Sequence, residues 1–409
     1  MSEFINNDEK RVEDLLAFSL GMMRGEDGRM LIEKYKEAIE HVTPHDMLKL
    51  EDKQMQMGIT PEVIKKDVDK VINIFFRKLK EYNWEKPEEG TFLYYLMLEN
   101  KAFEFKLNNV KKIMMRYKGR EVSDFKQLKN ELLSFYEEFK EFEAHYIKKE
   151  NILFPFLEKK WSSYRPLKVM WSLHDDIRKK LTQIIHTLKS DTSLWADLNK
   201  EIGAYYFLVF GMIKKEELII YPVACEAVSD DEWEEMHKQS FEYPFPFIET
   251  PAKPKSTKES LSKKQTGISQ IDGDLKLKSE TGELNFEQIL ILLNNLPVDI
   301  TFVDENDRVK FFSRQEERFF PRSPAIIGRA VQNCHPPESV HIVEKIVNAF
   351  KNGEKDNAKF WLQLNGKFIL IQYFALRNSN GEYKGVLEVT QDITGIRTLE
   401  GEQRLLDWD

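Results

Sequence analysis

HYIKKENILFP, residues 145–155, returns as GMIKKEELIIYP, residues 211–222. Both copies read Ile-Lys-Lys-Glu, then an apolar run, then proline. Upstream of the first copy, Leu128, Leu132, Phe135, Phe139, Phe142, Tyr146 and Leu153 recur at helical spacing. Upstream of the second, Leu198, Ile202, Tyr205, Leu208 and Met212 do the same, continuing to Ile219. Stripes of this period mark helices that bury one face. With two further apolar stretches they predict four long helices, roughly 88–117, 123–158, 165–189 and 193–222, in an antiparallel bundle. Pro155 and Pro222 read as stop signals for the second and fourth.

Glu150 lies four residues after Tyr146 and three before Leu153, so it points into the apolar stripe. Glu216 does the same between Met212 and Ile219. A carboxylate inside a bundle needs a partner. Lysine or arginine, water at the bundle end, or a metal shared with imidazoles would each serve. Without a metal, leucine at either position is expected to be neutral or stabilising. His145 and Glu150 are five apart, ~140° around a regular helix, so they share an ion only if the helix loosens, as at a π-bulge.

Of the 409 residues 32% are charged, both signs interspersed, and the net charge is −8, which argues against nucleic acid as a general partner. No apolar stretch approaches the ~20 residues of a membrane span, and MSEFINNDEKRVED is too polar for a signal peptide. Cys225 and Cys334 make no disulfide framework. A cytoplasmic location is expected.

Residues 1–85 read as a small all-α domain, punctuated by Gly58 and by Thr43-Pro44 and Thr60-Pro61 as helix starts. The bundle follows over 86–243, and 244–284, beginning PFPFIETPAKPKSTKESLSKKQ, as a linker whose end forms an extended segment. Residues 285–409 read as α+β with a five-stranded antiparallel sheet and a short C-terminal helix. Asn365-Gly366 and Asn380-Gly381 mark hairpin turns. Phe302, Trp361 and Phe374, or their alternating neighbours, are expected on the inner face of that sheet.

The two helix ends and MWSLHDDIR, with His174, resemble the hemerythrin-like, histidine- and glutamate-rich cation-binding family. The resemblance implies non-haem iron held by His145, Glu150, His174 and Glu216; Glu99 is a further candidate because it too falls within an apolar stretch. It also places imidazoles where this chain has Thr91, Tyr94 and Gly211. The C-terminal strand order, closing on Asp392-Ile393-Thr394, resembles a PAS domain. PAS folds are sensory, which implies a small ligand, a flavin or a haem under the helices, with Cys334 and His335 as cofactor-binding candidates. The whole arrangement resembles a bacterial multidomain family whose N-terminal domain has no assigned function.

The reading that follows is a cytosolic sensor or signalling adaptor, not an enzyme. It would have a protein partner, a small-molecule ligand, no membrane, and a homodimer through the PAS domain. Two other readings are an iron protein handling oxygen or nitric oxide, and a scaffold with neither ligand nor metal.

Overall fold

This computed structural model describes residues 2–117, 125–162, 164–190, 195–253, 276–279, 281–315 and 318–402. The chain falls into two units, one of Met1–Lys253 with Pro336–Glu338 and a second of Pro254–His335 and Ser339–Asp409.

The first unit is all helical. Five helices open it: α1 (Ser2–Met23), α2 (Gly28–Lys34), α3 (Lys36–Glu40), α4 (Pro44–Gln56) and α5 (Pro61–Glu81). Thr43 and Asp46 form a reciprocal capping box at α4, with Thr43 N–H donating to Asp46 at 2.9 Å. Thr60 stands at the start of α5 without a side-chain capping bond, so proline alone sets that start. Gly58, at φ +85°, ends α4.

The bundle's first helix is α6 (Phe92–Arg116). Its second runs from Phe125 to Lys160 as α7 (Phe125–Glu138), a 3₁₀ turn, α8 (Glu143–Lys148), a π-turn over Lys149–Leu153 and α9 (Phe154–Lys160). The third is α10 (Pro166–Lys189). The fourth comprises α11 (Trp195–Lys215), a π-turn over Glu216–Ile220 and α12 (Tyr221–Ala227), with α13 (Asp230–Ser240) beyond. Pro155 and Pro222 therefore do not stop their helices. Each sits in the first turn after a π-turn, where the wider backbone accommodates a residue lacking an N–H.

The stretches expected as separate domains, 1–85 and 86–243, share one hydrophobic core running from Leu15 and Phe18 through Phe103 to Tyr243. A buried ion pair crosses between them: Lys215 Nζ lies 2.6 Å from both Glu51 oxygens. The expected linker also begins inside this unit. Phe245 is 7% exposed, and Phe247, at φ 64°, stacks on Phe103 and Phe142 at 5.6 and 5.9 Å. Aromatic rings between the prolines give this run a surface to bury, which its composition hid. Residues 254–275 of the expected linker lie outside the described residues, and its end is extended, as expected.

The second unit starts with the hairpin β1 (Lys276–Ser279) and β2 (Gly282–Asn285), followed by α14 (Phe286–Asn295). The sheet strands are β3 (Asp299–Asp304), β4 (Val309–Phe312), β5 (Asn357–Leu364), β6 (Lys367–Arg377) and β7 (Tyr383–Asp392), in antiparallel order β4-β3-β7-β6-β5. Between β4 and β5 the chain crosses the sheet through short turns and α15 (Pro337–Lys351). Gly385 lets β7 approach β3, since a Cβ there would fall 2.1 Å from Val303 O.

Asn365 and Gly366 both take positive φ, as a type I′ hairpin requires. The inner face carries Val303, Val386, Ala375 and Tyr373 against Val347 and Phe350 of α15. Trp361 faces away and is 60% exposed, and register puts Phe302 and Phe374 on that outer face too. The alternating neighbours are the inner residues. The expected C-terminal helix is not present at Leu399–Glu402, and 403–409 lies outside the described residues.

Candidate charge centre of the helical bundle

The two π-turns decide where the repeated glutamates point. In each, the backbone bond spans five residues, from Phe154 N–H to Lys149 O and from Tyr221 N–H to Glu216 O. The extra residue per turn rotates the side chains before it, and both glutamates face the bundle interior.

Glu216, fully buried, accepts from Asn100 Nδ2 and Tyr221 Oη, both at 2.8 Å, and from Lys149 Nζ. His145 Nε2 stands 3.4 Å from the same carboxylate, and His145 Nδ1 stands 2.7 Å from Glu99 Oε2. Lys148 Nζ donates to the other oxygen of Glu99. Glu99, His145 and Lys149 are 0% exposed and Lys148 is 1%. Burial alone would raise Glu216, but Lys149 and then His145 outweigh it and hold its pKa well below the carboxylate range. Burial pulls Lys148 and Lys149 below the ordinary lysine value.

Glu150 does not meet His145. Its carboxylate lies 2.7 Å from His174 Nδ1 and accepts from Arg178 at 2.9 and 3.0 Å. Arg178 also binds Glu143. Burial, then Lys149 and Arg178, pushes His174 well below the usual imidazole range, so its ring is neutral. Tyr146 separates the two halves, stacked on His174 at 4.5 Å. Phe142 stacks on His145 at 4.5 Å, and Lys148 Nζ lies 4.2 Å from the Phe245 ring.

Residues 91–224 match the hemerythrin HHE cation binding domain, and residues 289–394 match a PAS domain. The chain joins a hemerythrin HHE domain to a PAS domain. Among solved structures, the C-terminal domain of a Streptococcus mutans protein is 35% identical over 32% of this chain and 100% of that one, at TM-score 0.30. The PAS domain of a Colwellia psychrerythraea protein is 18% identical over 27% and 97%, at TM-score 0.22. The sensor region of a sensor histidine kinase is 14% identical over 24% and 40%, at TM-score 0.18. No curated protein matches the chain.

The residues of this HHE domain do not fit an iron centre. Among the described residues, no group of three or more His, Cys, Asp or Glu is arranged to hold a metal ion. The reason is chemical: Glu99, Glu150 and Glu216 each already accept from a cation of the chain. His174 Nε2 is buried without a partner, but one imidazole nitrogen does not hold iron. Thr91 caps α6, accepting from Tyr94 N–H at 3.3 Å. Gly211 lines a recess of about 480 Å³ with Lys111, Tyr206 and Phe210 instead of joining this centre.

Sequence reasoning missed Lys148, Lys149, Asn100, Arg178 and Tyr221. The available signal was the repeat itself, which conserves two lysines beside each inward glutamate.

In the PAS domain, Cys334 ends a 3₁₀ turn (Val331–Cys334), packs at the core edge and donates to Ala330 O at 3.6 Å. Burial, then Arg322 and Arg329, lowers His335 to about 4. No helix among the described residues is long and apolar enough to cross a membrane.

Proposed function

We propose that this protein is a sensor or signalling adaptor without a catalytic step. Its PAS domain takes up a small ligand, and its helical unit offers a rigid surface to a protein partner. One fact supports this above the others: each glutamate that the hemerythrin resemblance assigns to iron is paired with a lysine or arginine of the chain. A bundle neutralised from within has no need of a metal to hold its carboxylates, which leaves the PAS domain as the receiving module. Lys148, Lys149 and Arg178 then serve as fixed charges that lock the helices in one register.

The test is to purify the full chain anaerobically, record its absorption spectrum, denature it and identify released small molecules by mass spectrometry. A stoichiometric organic ligand supports the sensor reading. Stoichiometric iron that depends on His145 and Glu216 contradicts the metal-free bundle. A protein that releases nothing and binds nothing is a scaffold.

A further inference from the structure

We infer that the PAS domain holds a small zwitterion of the amino-acid class between Arg322 and Glu388. The inference rests on the sensor reading and adds the chemistry of the ligand. On the inner face of the sheet, Val303, Val386 and Ala375 form one cross-strand row, and Thr301, Glu388 and Tyr373 form the next. A third row carries Asp299 and Thr390. The first row belongs to the apolar core, whereas the other two are largely polar.

Thr301 is 4% exposed and Thr390 0%, and neither hydroxyl has a hydrogen-bond partner. Buried hydroxyls in folded proteins are nearly always bonded. Two orphaned ones on adjacent strands therefore mark a place built for a polar guest.

The charges around this floor are also uncommitted. Glu388 makes no ion pair or hydrogen bond among the described residues, and the hydrogen bond of Arg322 is a long one, 3.5 Å, to the Pro321 carbonyl. No ion pair joins the two. Both charges reach Tyr373: burial and then Glu388 raise its pKa, and Arg322 opposes the rise. The charge of Arg322 likewise works to lower His335 and Asp299, so its field bears on the end of the sheet that carries the two polar rows. Asp299 is engaged through Oδ2, which accepts from Phe319 N–H at 2.8 Å, while its Oδ1 is buried without a hydrogen bond and lies 3.8 Å from Arg318.

An ammonium satisfies Glu388, and a carboxylate satisfies the fork of Arg322. The threonine hydroxyls and Tyr373 take the remaining bonds. A plain acid or a plain amine leaves one of the two charges without a partner, which predicts binding weaker by about tenfold or more.

The test is isothermal titration of the full chain with the common L-amino acids, each compared with its deaminated acid and its decarboxylated amine. At least one amino acid is expected to bind, with its acid and amine about tenfold or more weaker, and with Arg322→Gln and Glu388→Gln each losing about tenfold or more. Should a glutamine variant misfold, Thr390→Val, which removes one orphaned hydroxyl at nearly constant volume, is expected to weaken the same ligand severalfold. Absence of amino-acid binding overturns the inference, and so does binding indifferent to all three substitutions. A flavin or haem recovered from the same protein overturns the ligand class while leaving the sensor reading in place; recovery of no ligand at all removes both.

Discussion

At the scale of single residues, Lys149 and Glu216 carry the most weight, because each is buried and each neutralises the other. Removing one partner of a buried pair leaves the other uncompensated, at a cost of ~3–5 kcal/mol. Lys149→Met is expected to lower stability by about that much in urea melts. Glu216→Leu does the same, so the sequence-based expectation that leucine is neutral applies only when both partners go. The double variant Lys149→Met/Glu216→Leu should recover most of the loss. pH separates the neighbouring glutamates by sign. Glu216 is depressed, so its contribution is complete above the ordinary carboxylate value and is lost as pH falls through its folded value. Glu217 is raised to about 7 by burial, then Glu104 and Glu216, so it weakens the fold as pH climbs from the ordinary value through 7. Glu217→Gln is expected to stabilise by about 1 kcal/mol at pH 8, after allowance for its partial exposure, and by nothing at pH 4. Thermal melts at the two pH values check the sign for Glu217.

At the scale of elements, the repeat made the helix ends legible but not their chemistry. Spacing placed Glu150 and Glu216 inside, and the need for a π-turn followed from His145 and Glu150 being five residues apart. Both π-turns are present, yet the pair that suggested one is not formed. Lysine was among the partners open to these carboxylates, but spacing does not single out Lys148 or Lys149, and only packing against α6 and the fourth helix reveals them. Proline misled twice. It was read as a helix stop at Pro155 and Pro222, and as linker at Pro244 and Pro246, where Phe245 and Phe247 cover the charge centre. A chain ending at Tyr243 is therefore expected to be less stable than one ending at Lys253, by about 2–4 kcal/mol for the two lost rings. Equal melting temperatures for the two would show that this segment is only tethered.

At the scale of the molecule, the α+β unit was legible because turn residues and alternation fix strand order locally, as at Asn365-Gly366. The joining of residues 1–85 to the bundle was not, because it depends on Glu51 meeting Lys215 across 164 positions of sequence. Residues 1–253 are expected to unfold in one transition, and residues 86–253 alone, with Lys215 uncompensated and the shared core cut open, to be molten. Cooperative unfolding of 86–253 with unchanged midpoint would contradict a shared core. Lysine and arginine hold the glutamates that the hemerythrin resemblance assigns to iron. Iron content measured on anaerobically purified and ferrous-reconstituted full chain tests this most directly. Well below one bundle-bound iron per chain and no change on His145→Ala are expected; one or two irons per chain, lost in that variant, would contradict a bundle neutralised from within.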